Sequence, residues 1–220
     1  MFEAVIFDWD GTLADTKSFV VYSFKKVLRE IGCNVNDEFI ERRMGIGPRN
    51  TFKEALKFAN IPFDEELIDK LEEKKVNIQL KRSKDVNLFE GASELLNLLY
   101  MNKKIALATM SNQKVIDKIL NEKGIRKYFD ALVTFDEVLS PKPDPEVFIK
   151  CAAKLGCQPE KCVVIEDSIF GVKAAKKARM KCIAVPSGAY SAEELKIENP
   201  DLIVNSLKEK EKILSFIFDK

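Results

Sequence analysis

The stretch Val5-Ile6-Phe7-Asp8-Trp9-Asp10-Gly11-Thr12-Leu13 decides how this chain is read. It opens as the end of an apolar run, Ala4 to Phe7, of the kind that forms a buried parallel strand. The run stops at two aspartates one residue apart, followed by a glycine. Strand alternation aims Asp8 and Asp10 the same way, while Gly11 marks a turn already under way. Carboxylates at the carboxyl end of a buried strand are costly unless something offsets them. A divalent cation does so, and oxygen ligands of this kind suit Mg²⁺. Taken alone, D-x-D-G reads equally well as a plain turn in which Asp8 caps a loop.

Working outward, the 220 residues are enough for one sizeable core, or a core with a small insert. Apolar residues are 46% and charged residues 32%, an ordinary profile for a soluble globular chain. The net charge of +1 gives no electrostatic pull toward nucleic acid or an acidic membrane. No apolar run reaches the length of a membrane span, and no leader pattern precedes the aspartates, so a cytoplasmic protein is expected. The five cysteines, Cys33, Cys151, Cys157, Cys162 and Cys182, form no C-x-x-C pair and read as reduced thiols. Histidine is absent, which removes Ser-His-Asp and Cys-His catalysis and the usual zinc ligands. Any acid or base must then be a carboxylate, lysine, tyrosine or cysteine.

From Thr16 the pattern is helical. Thr16 to Ile31 is expected to form a helix with Thr16 as N-cap and Gly32 as stop. Glu38–Arg43, Asn50–Ala59 and Asp64–Leu80 follow, with the loop Met44-Gly45-Ile46-Gly47-Pro48-Arg49 among them and no strand before Ser83. From Leu88 the rhythm changes. Strands expected at 104–109, 131–134, 162–165, 182–185 and 202–204 alternate with helices at 91–100, 113–123, 145–155 and 170–178, and a last helix covers 207–218. Such alternation predicts an α/β fold, a parallel sheet covered on both faces. Ligands of such sheets sit outside the strand carboxyl ends.

Three more strand ends carry polar residues. After Ala108 come Thr109-Met110-Ser111-Asn112, a hydroxyl and helix-start N–H groups suited to phosphate oxygens; Ser111 or Asn112 as a simple helix cap is the alternative. After the strand at 131–134 comes Ser140-Pro141-Lys142-Pro143-Asp144, a lysine held between two prolines. After Val163-Val164-Ile165 come Glu166-Asp167-Ser168. Asp167 and Ser168 also read as N-caps, but adjacent acids at a buried strand end favour metal ligation.

The ordered set D-x-D-G-T, hydroxyl, K-P, E-D-S resembles the haloacid dehalogenase-like superfamily of phosphotransferases over essentially the whole chain. Phe89-Glu90-Gly91-Ala92 resembles that family's return to its core, and the chain looks most like the phosphoglycolate phosphatase and β-phosphoglucomutase branch. The resemblance implies a Rossmann-like parallel sheet core, residues 1–14 and 85–220, with a small α-helical cap inserted at 15–84. It implies Asp8 as nucleophile and Asp10 as acid/base. Thr109 and Lys142, with Ser111 and Asn112 beside them, hold the phosphoryl group. The metal site is Asp8, Asp10 through its carbonyl, Glu166 and Asp167, with Mg²⁺ as cofactor. Arg49, in the cap loop, is a candidate for the leaving group; as a bare residue it reads equally as a surface arginine. The implied partner is a small phosphate ester, neither nucleic acid nor membrane, and nothing in the sequence fixes an oligomeric state.

Four functions compete on such a core. They are a Mg²⁺-dependent phosphatase working through an aspartyl-phosphate, a phosphosugar mutase, a haloacid dehalogenase, and a binding protein without turnover. Asp10 disfavours the dehalogenase, since halide leaves without a proton and the resembling dehalogenases lack that residue. The complete set of residues disfavours a non-catalytic protein. The resembling mutases carry a histidine near the hinge to the cap, where this chain has Phe19 and Val20. The phosphatase is the expected function.

Overall fold

The computed structural model describes residues 1–218. Strand β1 is Ala4–Phe7 and β2 Ala14–Asp15, followed by four helices, α1 Lys17–Arg29, α2 Asp37–Glu41, α3 Pro48–Phe58 and α4 Glu65–Arg82. Strand β3, Asn87–Leu88, and helix α5, Ala92–Tyr100, return the chain to the sheet. Then β4 Lys104–Ala108, α6 Gln113–Glu122, β5 Ala131–Val133, α7 Glu146–Leu155, β6 Cys162–Glu166, α8 Ile169–Lys177 and β7 Lys181–Ala184 alternate. The described chain ends with α9 Ala192–Ile197, β8 Leu202–Ile203 and α10 Lys210–Phe218.

The six long-range strands pair in the order β5-β4-β1-β6-β7-β8, all parallel. The sequence expectation of a doubly covered parallel sheet is what the chain forms. Its physical basis is visible along β1, every residue of which is buried. Val5 and Phe7 join one apolar cluster with Ile105, Leu107, Val163 and Ile165; Ala4 and Ile6 join another with Ala106, Ala108 and Val164. Successive side chains thus serve opposite faces, and burying each of the larger ones contributes roughly 1.5–3 kcal/mol.

β1 occupies the middle of the sheet with Phe7 level with Leu107 on one side and Ile165 on the other. That register brings the chain segments after β1, β4 and β6 to one edge. The helices α1 to α4 stand over that edge, with Phe24 of α1 against Phe52 of α3 at 4.7 Å between ring centres. The chain leaves and re-enters the sheet side by side, because β2 and β3 pair antiparallel, Ala14 opposite Leu88.

Differences from the sequence reading are local. Thr16 precedes α1 but makes no side-chain cap. Pro145 lies just before α7 rather than in its first turn. The last helix starts at Lys210, since Leu207 is buried in the core ahead of it. Helix α9 was not expected at all.

Candidate active site

Asp8 follows β1 directly, and its N–H donates to Ile165 O at 3.0 Å, carrying the strand pairing one residue beyond β1. The chain then turns so tightly that the Thr12, Leu13 and Ala14 amides all donate to Trp9 O. Gly11 makes the turn possible with φ +88°, and a Cβ there would fall 2.3 Å from Asp167 Oδ2. The turn thereby brings Thr12 to Asp167, its hydroxyl donating to Oδ1 at 3.0 Å.

Lys142 reaches in from the β5–α7 connection, after which Lys142-Pro143 is a cis peptide. Its ammonium is 1% exposed and donates to Asp8 Oδ1 and to Glu166 Oε1, each at 2.6 Å. Burial alone would depress this lysine, but the Asp8 and Glu166 carboxylates on either side hold it above its ordinary range. Burial pushes Asp8 up to about 8, against the pull of Lys142 and with a further push from Glu166 and Asp10. Asp167 is raised well above the carboxylate range, by burial first and then by Glu166 and Asp8.

Oxygens of Asp8, Glu166 and Asp167 lie within 4.8 Å of one another. One lysine faces three buried acids, so this corner is short of positive charge. A hard divalent cation fits that deficit and this all-oxygen donor set. Glu166 is the most committed of the three: Oε2 accepts from the Asp167 amide at 2.8 Å, the Ser168 amide at 2.7 Å and the Ser168 hydroxyl at 3.0 Å.

The Asp10 side chain does not join that trio. It turns to a ring of hydroxyls, accepting from Thr16 at 2.7 Å, Ser111 at 2.7 Å and Thr109 at 3.3 Å. Thr16 therefore spends its hydroxyl on the Asp10 side chain instead of capping α1. Thr109 also accepts from the Ser111 amide at 3.0 Å.

Two candidate residues lie elsewhere. Asn112 caps α6, accepting from the Lys114 amide at 3.1 Å, and donates to Asp136 at 2.7 Å. The capping alternative is thus the one its geometry follows. Arg49 is held on the cap by Glu65, Asp69 and Glu72 at 2.6–2.7 Å. Its hydrogen bonds to Asp69 and Glu65 keep the guanidinium more firmly charged than usual. The cleft above Asp8 is lined from the cap by Glu41, Met44 and Gly45, not by Arg49.

Several residues at this edge escaped the sequence reading. Thr12 and Thr16 sit inside the first motif and its exit, where a hydroxyl has no periodic signal. Tyr190 lines the cleft from the core and donates to Arg42 O of the cap at 2.6 Å. Lys75, buried on α4, lines a narrow recess with Asp10 and Ser111. A signal for it existed: the inward stripe Ile68, Leu71 runs on at helical spacing through Lys75 and Gln79.

The chain matches known proteins along most of its length. A phosphorylated carbohydrates phosphatase of Thermotoga maritima is 34% identical over 222 residues, covering 94% of this chain and 99% of the relative. A fructose-1-phosphate phosphatase of Escherichia coli is 29% identical, covering 84% and 96%. Among solved structures, a β-phosphoglucomutase from Clostridium difficile superposes with a TM-score of 0.85 at 29% identity, covering 97% of this chain and all of that one. No described helix is long and apolar enough to cross a membrane. The model of the haloacid dehalogenase-like hydrolases matches residues 5–185, from the first strand to the end of β7 and including every motif at the sheet edge. This chain therefore belongs to the haloacid dehalogenase-like hydrolase family.

Proposed function

We propose that this enzyme hydrolyses a small phosphate monoester of the sugar phosphate kind, in a Mg²⁺-dependent reaction that passes through phosphorylated Asp8. The observation that carries the reading is the division of labour at one strand end. Asp8 is buried against Lys142, while Asp10, two residues on, is held by hydroxyls. This difference in surroundings supports one carboxylate as the group that forms a bond and the other as the group that moves a proton. The phosphorylated carbohydrates and fructose 1-phosphate named for the two relatives point to the substrate class.

In the first step an Asp8 oxygen attacks phosphorus and the bond to the leaving oxygen breaks, with Asp10 giving that oxygen a proton. In the second, Asp10 takes a proton from the attacking water, phosphorus passes to the water oxygen, and the Asp8 carboxylate is released with inorganic phosphate. Lys142 offsets the charge that phosphate brings to Asp8. Thr16, Ser111 and Thr109 fix the carboxylate that handles the proton. Asp8, Asp167 and Glu166, with the Asp10 carbonyl, are the groups that would hold Mg²⁺, which when bound neutralises phosphate oxygens. Residues 15–84 act as the cap that keeps bulk water out.

The test is phosphate release from a panel of small sugar phosphates with Mg²⁺ and with chelator. Activity is expected only with the metal and is expected to vanish in Asp8→Asn, since an amide is a poor nucleophile. With enzyme in excess over ³²P-labelled substrate, a rapid acid quench should trap ³²P on the Asp8 peptide, released by hydroxylamine as an acyl phosphate is. Phosphate formed with no ³²P on the protein at any time in the turnover would mean that water attacks directly and Asp8 is not phosphorylated.

A further inference from the structure

The cap holds a buried cation that the reaction above does not use. On α4, Lys75 is 4% exposed and Gln79 1%. The Lys75 ammonium donates to Gln79 Oε1 at 2.9 Å and lies 4.8 Å from the centre of the Phe24 ring. Among the described residues no carboxylate pairs with it. It lines a narrow recess of about 10 Å³ between cap and core, whose walls include Asp10, Val20, Thr51, Met110 and Ser111.

The hydroxyls of this recess are already committed. Thr51 donates to Gly47 O at 2.9 Å and Ser111 to Asp10 at 2.7 Å. The ammonium has three hydrogens and gives one to Gln79. It is the side chain of the recess with hydrogens left for an incoming oxygen.

Gln79 is an odd choice for a buried position. Its Nε2 has no partner among the described residues. A leucine or methionine would fill the space without stranding a donor. The amide cannot turn round to mend this, because an ammonium only donates and so must face the oxygen. The cost makes sense when the oxygen has a task that packing does not supply.

We propose that Gln79 is a positioning residue for substrate selection. It holds the Lys75 ammonium over Phe24, where it meets a hydroxyl or carboxylate on the leaving alcohol whose ester oxygen lies beside Asp10. This rests on the phosphatase reading. The other walls contributed by Val20, Phe24 and Met110 are apolar, so the single cation is the point of polar discrimination. Selection then depends on an ammonium kept in one place, and Gln79 keeps it there.

Three small esters test this with the full chain and Mg²⁺. Acetyl phosphate reports phosphoryl transfer, and ethyl phosphate and 2-hydroxyethyl phosphate differ by one hydroxyl. The wild-type enzyme should prefer the hydroxylated ester by about tenfold or more in kcat/KM, the worth of one charged hydrogen bond. Gln79→Leu should erase most of that preference by raising KM for 2-hydroxyethyl phosphate, with a much smaller change on acetyl phosphate. Gln79→Glu, which keeps an oxygen acceptor, should retain the preference. Lys75→Met should lose it too, and the double variant should lose no more than either single one. Full preference in a folded Gln79→Leu overturns the proposal. So does equal loss in Gln79→Glu, which would point to packing alone. If Gln79→Leu does not fold, Gln79→Met with the same esters takes its place. A wild-type enzyme that cleaves acetyl phosphate but treats the other two alike also overturns it and leaves the phosphatase reading standing. No cleavage of acetyl phosphate would strike the phosphatase reading itself.

Discussion

A lysine closed in beside an aromatic ring is held at a cost to the fold. Burial brings the Lys75 ammonium down to about 8, with Asp10 and Glu72 pulling it back up. Below pH 8 the group is charged in both folded and unfolded chains, and the folded chain carries the full penalty. Between pH 8 and about 10.5 the unfolded chain binds more protons, so stability rises with pH through that window. Lys75→Met, similar in size and uncharged, should therefore stabilise the protein by about 2–3 kcal/mol at pH 6. The gain should fade between pH 8 and 10.5; urea unfolding at several pH values measures it. At this scale the sequence was most legible where residue type met strand end. Asp8, Lys142 and Asp167 gather as the motif order implied. Lys75 could be found only from its place on the inward stripe of α4, since by residue type a lysine in a lysine-rich helix looks like any other. Arg49 drew attention as a cation in a glycine loop, yet its charge is met by acids that lie 16–23 residues further along.

Between elements, the join of cap and core concentrates in the turn Met44–Ile46 and in what surrounds it. A Cβ on Gly45 would stand 3.1 Å from Ser168 Oγ and 3.3 Å from the Phe170 ring. One on Gly47 would stand 3.0 Å from Phe135. The small residues let the cap loop settle between two core rings. Arg42 adds a clamp, its guanidinium 2.9 Å from Glu194 and 5.3 Å from the centre of the Tyr190 ring. Tyr190→Phe removes the 2.6 Å bond to Arg42 O and should raise hydrogen exchange at residues 43–47 while β1 stays protected. Unchanged exchange there would mean that the clamp does not hold the cap. Arg49→Ala should act within the cap, loosening α3 from α4 and lowering activity on sugar phosphates and acetyl phosphate alike. A loss confined to sugar phosphates would bring Arg49 to the substrate instead. Helix α9, which supplies Glu194, was readable after all. Ser191-Ala192-Glu193-Glu194 is a capping box, and both of its reciprocal bonds form. The helix it opens has only six residues, too few to show a period.

Across the whole molecule, the proposed cation site at the sheet edge would tie stability to metal. Adding Mg²⁺ to metal-free protein should raise Tm, with about 2.7 kcal/mol gained at a hundredfold excess over Kd. Asp167→Ala should blunt both that rise and the activity, with circular dichroism unchanged. The parallel sheet was legible because β1, β4, β5, β6 and β7 are buried on both faces along most of their length and read as apolar runs. The positions of the cap helices were legible to within a few residues from their periodicity. How cap and core meet was not, since those contacts join residues far apart in the chain and leave no local pattern. One feature of that join governs how the cap can move. The two chain crossings are not independent: Ala14 pairs with Leu88, and the Phe89 amide donates to Leu13 O at 2.9 Å. Strands tied edge to edge form a ribbon, which flexes across its face far more readily than within its plane. Crossings so tied should move together, like a door on a single pin, with one soft coordinate where two free linkers would allow several. A single pair of spectroscopic labels, one on each side of the ribbon, is enough to follow its whole excursion.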